Sequence, residues 1–122
     1  MPATLGHVKL PVADLAVSRA FYTEALAPLG FELVYDGPSS LGWGPPPFEL
    51  FAVELSDDRI LGVHVAFNAV DHASVDAFHA AALAAGGRDH GAPGLRPYGE
   101  NYYAAFVLDP DGHNIEAVHH GP

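Results

Sequence analysis

Residues 7–30 (HVKLPVADLAVSRAFYTEALAPLG) fall on residues 64–87 (HVAFNAVDHASVDAFHAAALAAGG) without a gap, 57 positions further along. His7 meets His64, Val8 meets Val65, Asp14 meets Asp71, Phe21 meets Phe78, Leu26 meets Leu83 and Gly30 meets Gly87. A repeated supersecondary unit implies two modules that bury one face against each other. A polar residue at the same phase of both copies marks a place where they meet, so the first expectation is a site at a pseudo-twofold junction.

Each copy opens on a strand pattern. In Leu5–Val12 the residues Val8, Leu10 and Val12 share one face, opposite His7 and Lys9. In Val63–Ala69 the residues Val65, Phe67 and Ala69 lie opposite His64, Ala66 and Asn68. Asp14 and Asp71 are N-cap residues for the helices that follow. Val17, Ala20, Phe21 and Ala25 form one apolar stripe, and Val75, Phe78, Ala82 and Ala85 form the other. Pro28 with Gly30, and Gly86 with Gly87, end them. Extended segments follow at Phe31–Tyr35, around Leu41–Gly44 and at Phe48–Leu55. In the second copy they come just after Gly87, at Tyr102–Leu108 and at Asn114–His119. Asp109-Pro110-Asp111-Gly112 is a hairpin turn, because Pro presets φ and Gly closes it. The pattern is βαβββ given twice, an α+β arrangement. One domain spans 1–122, with module one at about 1–56 and module two at about 59–119. The Gly- and Pro-rich stretches Asp36–Pro47 and Asp89–Asn101 read as rim loops.

Five Lys/Arg against fifteen Asp/Glu give a formal charge of −10, which repels phosphate backbones; no nucleic-acid partner is expected. No apolar run approaches the roughly 20 residues of a membrane span. The segment Met1–Thr4 lacks a basic stretch leading into an apolar one, so a cytoplasmic location is expected. The absence of cysteine removes thiolate chemistry and Cys-based zinc sites.

The closing strands supply the other half of a candidate site. Phe48-Glu49-Leu50-Phe51-Ala52-Val53 resembles Asn114-Ile115-Glu116-Ala117-Val118-His119, with Glu49 matching Glu116. An unpaired carboxylate inside an apolar strand costs several kcal/mol, roughly, so each needs solvent, a cation or a partner. Folded symmetrically, His7, Glu49, His64 and Glu116 approach one axis, a donor set suited to a divalent metal with open positions. A lone strand histidine is usually a hydrogen-bonded structural residue. Two at equal phases, with two matched glutamates, point to a metal instead. Trp43, Tyr98, Tyr102 and Tyr103 are candidates for an aromatic wall at the mouth, with Arg96 the one cation near the rim. His113, beside the turn, is expected to face solvent, and His72, His79, His90, His119 and His120 are read as surface residues.

These residues make the chain recognisable. His7-Val8-Lys9-Leu10-Pro11-Val12-Ala13-Asp14, Ser18-Arg19-Ala20-Phe21-Tyr22 and Asp109-Pro110-Asp111-Gly112-His113-Asn114-Ile115-Glu116 resemble the vicinal oxygen chelate superfamily, with its glyoxalases, bleomycin and fosfomycin resistance proteins and extradiol dioxygenases. The resemblance implies a single-domain, glyoxalase-like member, with a cupped, incompletely closed mixed β-sheet and helices packed outside. It places the metal on His7, His64 and Glu116, with Glu49 as fourth ligand or base. The metal it implies is one divalent ion: Ni, Co, Zn, Mn or Fe. The implied activity is that of a lyase or isomerase that stabilises an enolate-like intermediate of a small substrate, with Glu49 and Glu116 as catalytic groups. The alternatives are a protein that sequesters an antibiotic or similar small ligand and, further off, an Fe(II) extradiol dioxygenase. Pro11 stands where glyoxalase I has an arginine for glutathione, which argues against that substrate. A homodimer is the implied assembly.

Overall fold

The computed structural model describes residues 2–122; Met1, at the head of the segment read for targeting, lies outside the described residues. The chain is α+β, with two four-stranded mixed sheets that do not close on each other and one helix on each. The first βαβββ unit runs β1 (Val8–Val12), α1 (Leu15–Leu26), a 3-10 turn (Ala27–Leu29), β2 (Glu32–Asp36), β3 (Ser40–Gly44) and β4 (Phe51–Leu55). The second runs β5 (His64–Asn68), α2 (His72–Ala84), β6 (Arg88–Leu95), β7 (Tyr103–Leu108) and β8 (Asn114–His119). Their strand orders are β1-β4-β3-β2 and β5-β8-β7-β6, with the outer pairs β1–β4 and β5–β8 parallel and the rest antiparallel. Among the described residues no helix is long and apolar enough to cross a membrane.

Both predicted caps form. The Asp14 carboxylate accepts from the Val17 N–H at 3.1 Å and that of Asp71 from the Ser74 N–H at 2.8 Å. The buried stripe of α1 is Ser18, Phe21, Tyr22, Ala25 and Leu26, whereas Val17 is 46% exposed and Ala20 lies outside. The i, i+3, i+4, i+7, i+8 series from Ser18 therefore sets the packing, one position from the stripe expected. Strand β6 continues to Leu95 through a stretch expected as loop, because two register slips at Gly91 and Gly94 let it stay paired with β7. Strand β4 begins only at Phe51, which leaves Glu49 in the preceding loop.

One core serves both units. Tyr22 lies 4.9 Å from the Phe21 ring and 4.8 Å from Phe51, and Phe51 meets Phe67 of β5 at 5.4 Å. Phe31 joins Phe67 at 5.5 Å, so the aromatic chain crosses from the first sheet to the second. Full burial of each such side chain contributes about 2–3 kcal/mol.

The β7–β8 turn clasps the two units together, and here His113 departs from expectation. It is fully buried. The Val63 N–H donates to its Nδ1 at 3.2 Å, which fixes the proton on Nε2, and Nε2 donates to the Pro11 carbonyl at 2.9 Å. The buried Asp109 carboxylate accepts from the Tyr22 hydroxyl and from the backbone N–H groups of Asp111 (2.9 Å) and His113 (2.8 Å). Asp111 in turn accepts from the Ala13 N–H at 3.0 Å. Burial, reinforced by Asp109, pushes the Tyr22 phenol well above its ordinary value.

Candidate functional site

Alternation along β5, β7 and β8 sends one set of side chains to the helices and the other to an open face. Val65 and Phe67 pack on the core, so His64 and Ala66 face outward; Ile115 and Ala117 do likewise, so Glu116 faces outward. The ladder sets Ala66 and Phe106 on either side of Glu116. Glu116 is nevertheless only 3% exposed. His64 Nε2 bonds one of its oxygens at 2.9 Å, and the Tyr102 hydroxyl donates to the other at 2.6 Å. His64 Nδ1 faces the Asn114 carbonyl at 3.2 Å. Both ring nitrogens of His64 thus face oxygen atoms of β8. The His64 ring also stacks on Phe106 at 6.1 Å, while Tyr98 and His120 flank Tyr102 at 5.4 and 5.5 Å.

The first sheet does not repeat this arrangement. In the parallel pairs, Val8 stands opposite Phe51 and its counterpart Val65 stands opposite Ile115. The residue equivalent to Glu116 is therefore Ala52, not Glu49, and the residue equivalent to Phe106 is Gly42. Glu49 instead lays its side chain over Gly42, where a Cβ would meet the Glu49 carboxyl carbon at 2.4 Å. His7 precedes β1 and is exposed. It lines, with His64, a cavity of about 420 Å³ at the seam between β1 and β5. His64, Glu116 and Tyr102 are thus bonded to one another; His7 shares only the seam cavity with His64, and Glu49 lies on the first sheet over Gly42.

The proposed aromatic wall divides. Tyr98 and Tyr102 lie at the open face. Trp43 is fully buried in the core, its indole N–H reaching Thr23 Oγ1 at 3.3 Å, because it shares the phase of Leu41 on β3. Tyr103 turns to the helix side, where its hydroxyl donates to Asp76 of α2 at 2.5 Å and is held above its ordinary pKa by that bond. Phe106 and Asn114 also belong to the open face, a role the sequence reading gives to neither. The signal for Phe106 was available: it is an aromatic at the outward phase of a strand whose inward phase is Ala105 and Val107.

The chain belongs to the Glyoxalase/Bleomycin resistance protein/Dioxygenase superfamily, whose family model matches residues 4–117. It is similar to a glyoxalase/bleomycin resistance protein from Albidiferax ferrireducens T118, with 31% identity and a TM-score of 0.82 over 95% of this chain and 98% of that one. The uncharacterized protein YqjT of Bacillus subtilis (strain 168) is 29% identical over 93% of this chain and 97% of its own length. The fold is also shared with a lactoylglutathione lyase from Agrobacterium tumefaciens at 20% identity and a TM-score of 0.71, covering 98% of this chain and 95% of that one.

Members of the superfamily often bind a divalent metal. The donor set of this chain does not fit one as arranged. Among the described residues no three His, Asp or Glu side chains gather closely enough to hold an ion. His64 Nε2 is taken up by its bond to Glu116, and Ala52 offers no donor at the position matching Glu116.

The hydrogen bond to Glu116, with lesser help from burial, pushes the Tyr102 phenol from 10.0 up to about 12. The raised value belongs to the protonated form, so the contribution to folding is complete below pH 10 and fades as pH rises through about 12. In an alkaline titration of tyrosinate absorbance, the difference between wild type and Tyr102→Phe should be a component titrating near pH 12. A difference component near pH 10 would contradict the bond.

Proposed function

We propose that this chain binds a small organic molecule on the open face of its second sheet and holds it, in the manner of a ligand-sequestering member of the superfamily. The observation that carries this reading is the state of Glu116. It is a nearly buried carboxylate with one bond to each oxygen and lone pairs to spare, set among Tyr102, Phe106 and Tyr98. A carboxylate with a donor fixed on each oxygen is a pre-oriented acceptor for an N–H or O–H of a ligand. Concave aromatic surfaces with a few fixed polar groups are the usual form of small-molecule sites.

A second reading, the metal-dependent lyase or isomerase of glyoxalase type, is favoured by one observation: His7 and His64 line the same seam cavity. Elemental mass spectrometry on untagged protein separates the two. Wild type and His64→Ala are each offered Ni, Co, Zn, Mn and Fe(II). Far less than one ion per chain is expected in both. Near-stoichiometric metal in wild type, lost in the variant, overturns the sequestering reading: iron would point to oxygen chemistry, and the others to lyase or isomerase activity. A homodimer in the cytoplasm remains part of this proposal, and sedimentation velocity checks the assembly.

A further inference from the structure

Beside the His64–Glu116 pair lies a second hollow of about 260 Å³, lined by His90, Gly91, Arg96, Tyr98, Phe106 and Asn114. Strand β6 is built to hold a guanidinium there. A Cβ on Gly91 would come within 2.8 Å of the Phe106 ring and 3.3 Å of an Arg96 nitrogen, and one on Gly94 would meet the other at 3.0 Å. The two glycines thus leave the bed on which Arg96, the residue after β6, lies folded back along that strand. Arg96 NH2 donates to the Ala92 carbonyl at 2.7 Å, and its carbon sits 5.5 Å from the Phe106 centroid. The remaining bond, to the Leu95 carbonyl, is long at 3.5 Å, so most of the five N–H donors are unspent. Arg96 forms no salt bridge with a carboxylate among the described residues.

The hollow holds a second unmet group. The side-chain oxygen of Asn114 is buried and has no hydrogen-bond partner. A buried acceptor left unpaired costs about 1–3 kcal/mol, and the bond it lacks can come from a ligand.

We infer that this hollow is an anion subsite for a small carboxylic acid that carries an N–H or O–H donor near its carboxylate. The carboxylate pairs with Arg96, and the donor reaches Asn114. Guanidinium and carboxylate match as a planar fork, a pairing that lysine would not reproduce. The chain's net negative charge does not forbid this, because at physiological salt exposed charges are screened beyond about 8 Å. The inference rests on the reading that the open face of the second sheet binds a small molecule.

The test is an NMR titration of ¹⁵N-labelled protein with salicylate, a planar acid with an adjacent hydroxyl, and with benzamidine, its cationic counterpart. Salicylate is expected to shift the Arg96 Nε–H and Asn114 side-chain resonances, and Arg96→Met to weaken it at least tenfold. Asn114→Leu should weaken 3-hydroxybenzoate, whose hydroxyl cannot bond its own carboxylate, more than it weakens benzoate, which lacks the donor. Salicylate binding unaffected by Arg96→Met overturns the subsite. Benzamidine shifting Tyr102 and Glu116 while salicylate shifts nothing overturns the acid but keeps the open face. Neither compound shifting any resonance of the second sheet's open face overturns both. Unchanged dispersion of the remaining resonances shows that each variant is folded.

Discussion

Asp109→Ala is expected to lower the free energy of unfolding by about 4 kcal/mol, and the melting temperature by roughly 10 °C or more. The carboxylate is buried and carries three bonds from three separate donors. Removing it leaves the Tyr22 hydroxyl and two backbone N–H groups to find partners where water has no access. Bonds to a charged acceptor are the strong ones, and the penalty falls on the donors left behind. His113→Ala acts on the same clasp. It deletes a fully buried ring and strips partners from the Val63 N–H and the Pro11 carbonyl. The two changes should not add, because they share one network. Thermal and urea unfolding of the single and double variants measure this. An Asp109→Ala loss under 1 kcal/mol, roughly, would show that the turn does not bind the units together.

Gly44→Ala is the second large effect. A Cβ at Gly44 would stand 1.9 Å from the Phe48 carbonyl oxygen and 3.1 Å from the Leu50 nitrogen. Both obstacles are backbone, in a turn closed by the Phe48 N–H to Pro45 carbonyl bond at 2.9 Å and tied to β3 by the Leu50 N–H to Trp43 carbonyl bond at 2.9 Å. Neither can rotate aside as a side chain would, so the segment must lift, at a cost of about 2–3 kcal/mol. Gly6→Ala is the matched control, since a Cβ there has nothing within 4 Å. Urea midpoints should fall clearly for Gly44→Ala and hardly move for Gly6→Ala. Equal midpoints would mean that the turn over β3 yields freely.

Much of the architecture was legible because it depends on local periodicity. His64–Asn68 alternates cleanly, Asp14 and Asp71 cap as expected, and Asn114–His119 is a strand with the predicted bounds. What failed to read through was register between distant strands. The repeat is offset by 57 in its first half, but between β4 and β8 the offset has grown to 64. The extra length of the second unit lies around β6 and the loop after it. A glutamate amid apolar neighbours at position 49 looked like a match for Glu116, and only the hydrogen-bonded ladder assigns that place to Ala52. His113 was misread for a related reason. A histidine beside a hairpin turn ordinarily meets water, and nothing local reveals that this turn is docked on Pro11, a hundred residues earlier in the chain. Trp43 and Tyr103 were likewise sorted by residue type, whereas strand phase decides which face each one serves.

On the sequestering reading, the difference between the two open faces also fixes how many guests the chain can take. Had the halves stayed alike, a symmetric protein would offer paired sites and a choice between independent and interacting occupancy. Here the position opposite Ala52 is Gly42, covered by the Glu49 side chain, while Glu116 faces Phe106. Only the second half carries a carboxylate tied to a histidine and a tyrosine. Binding should therefore saturate at one molecule per chain along a simple hyperbola, and any sigmoid curve would have to arise between chains, not within one.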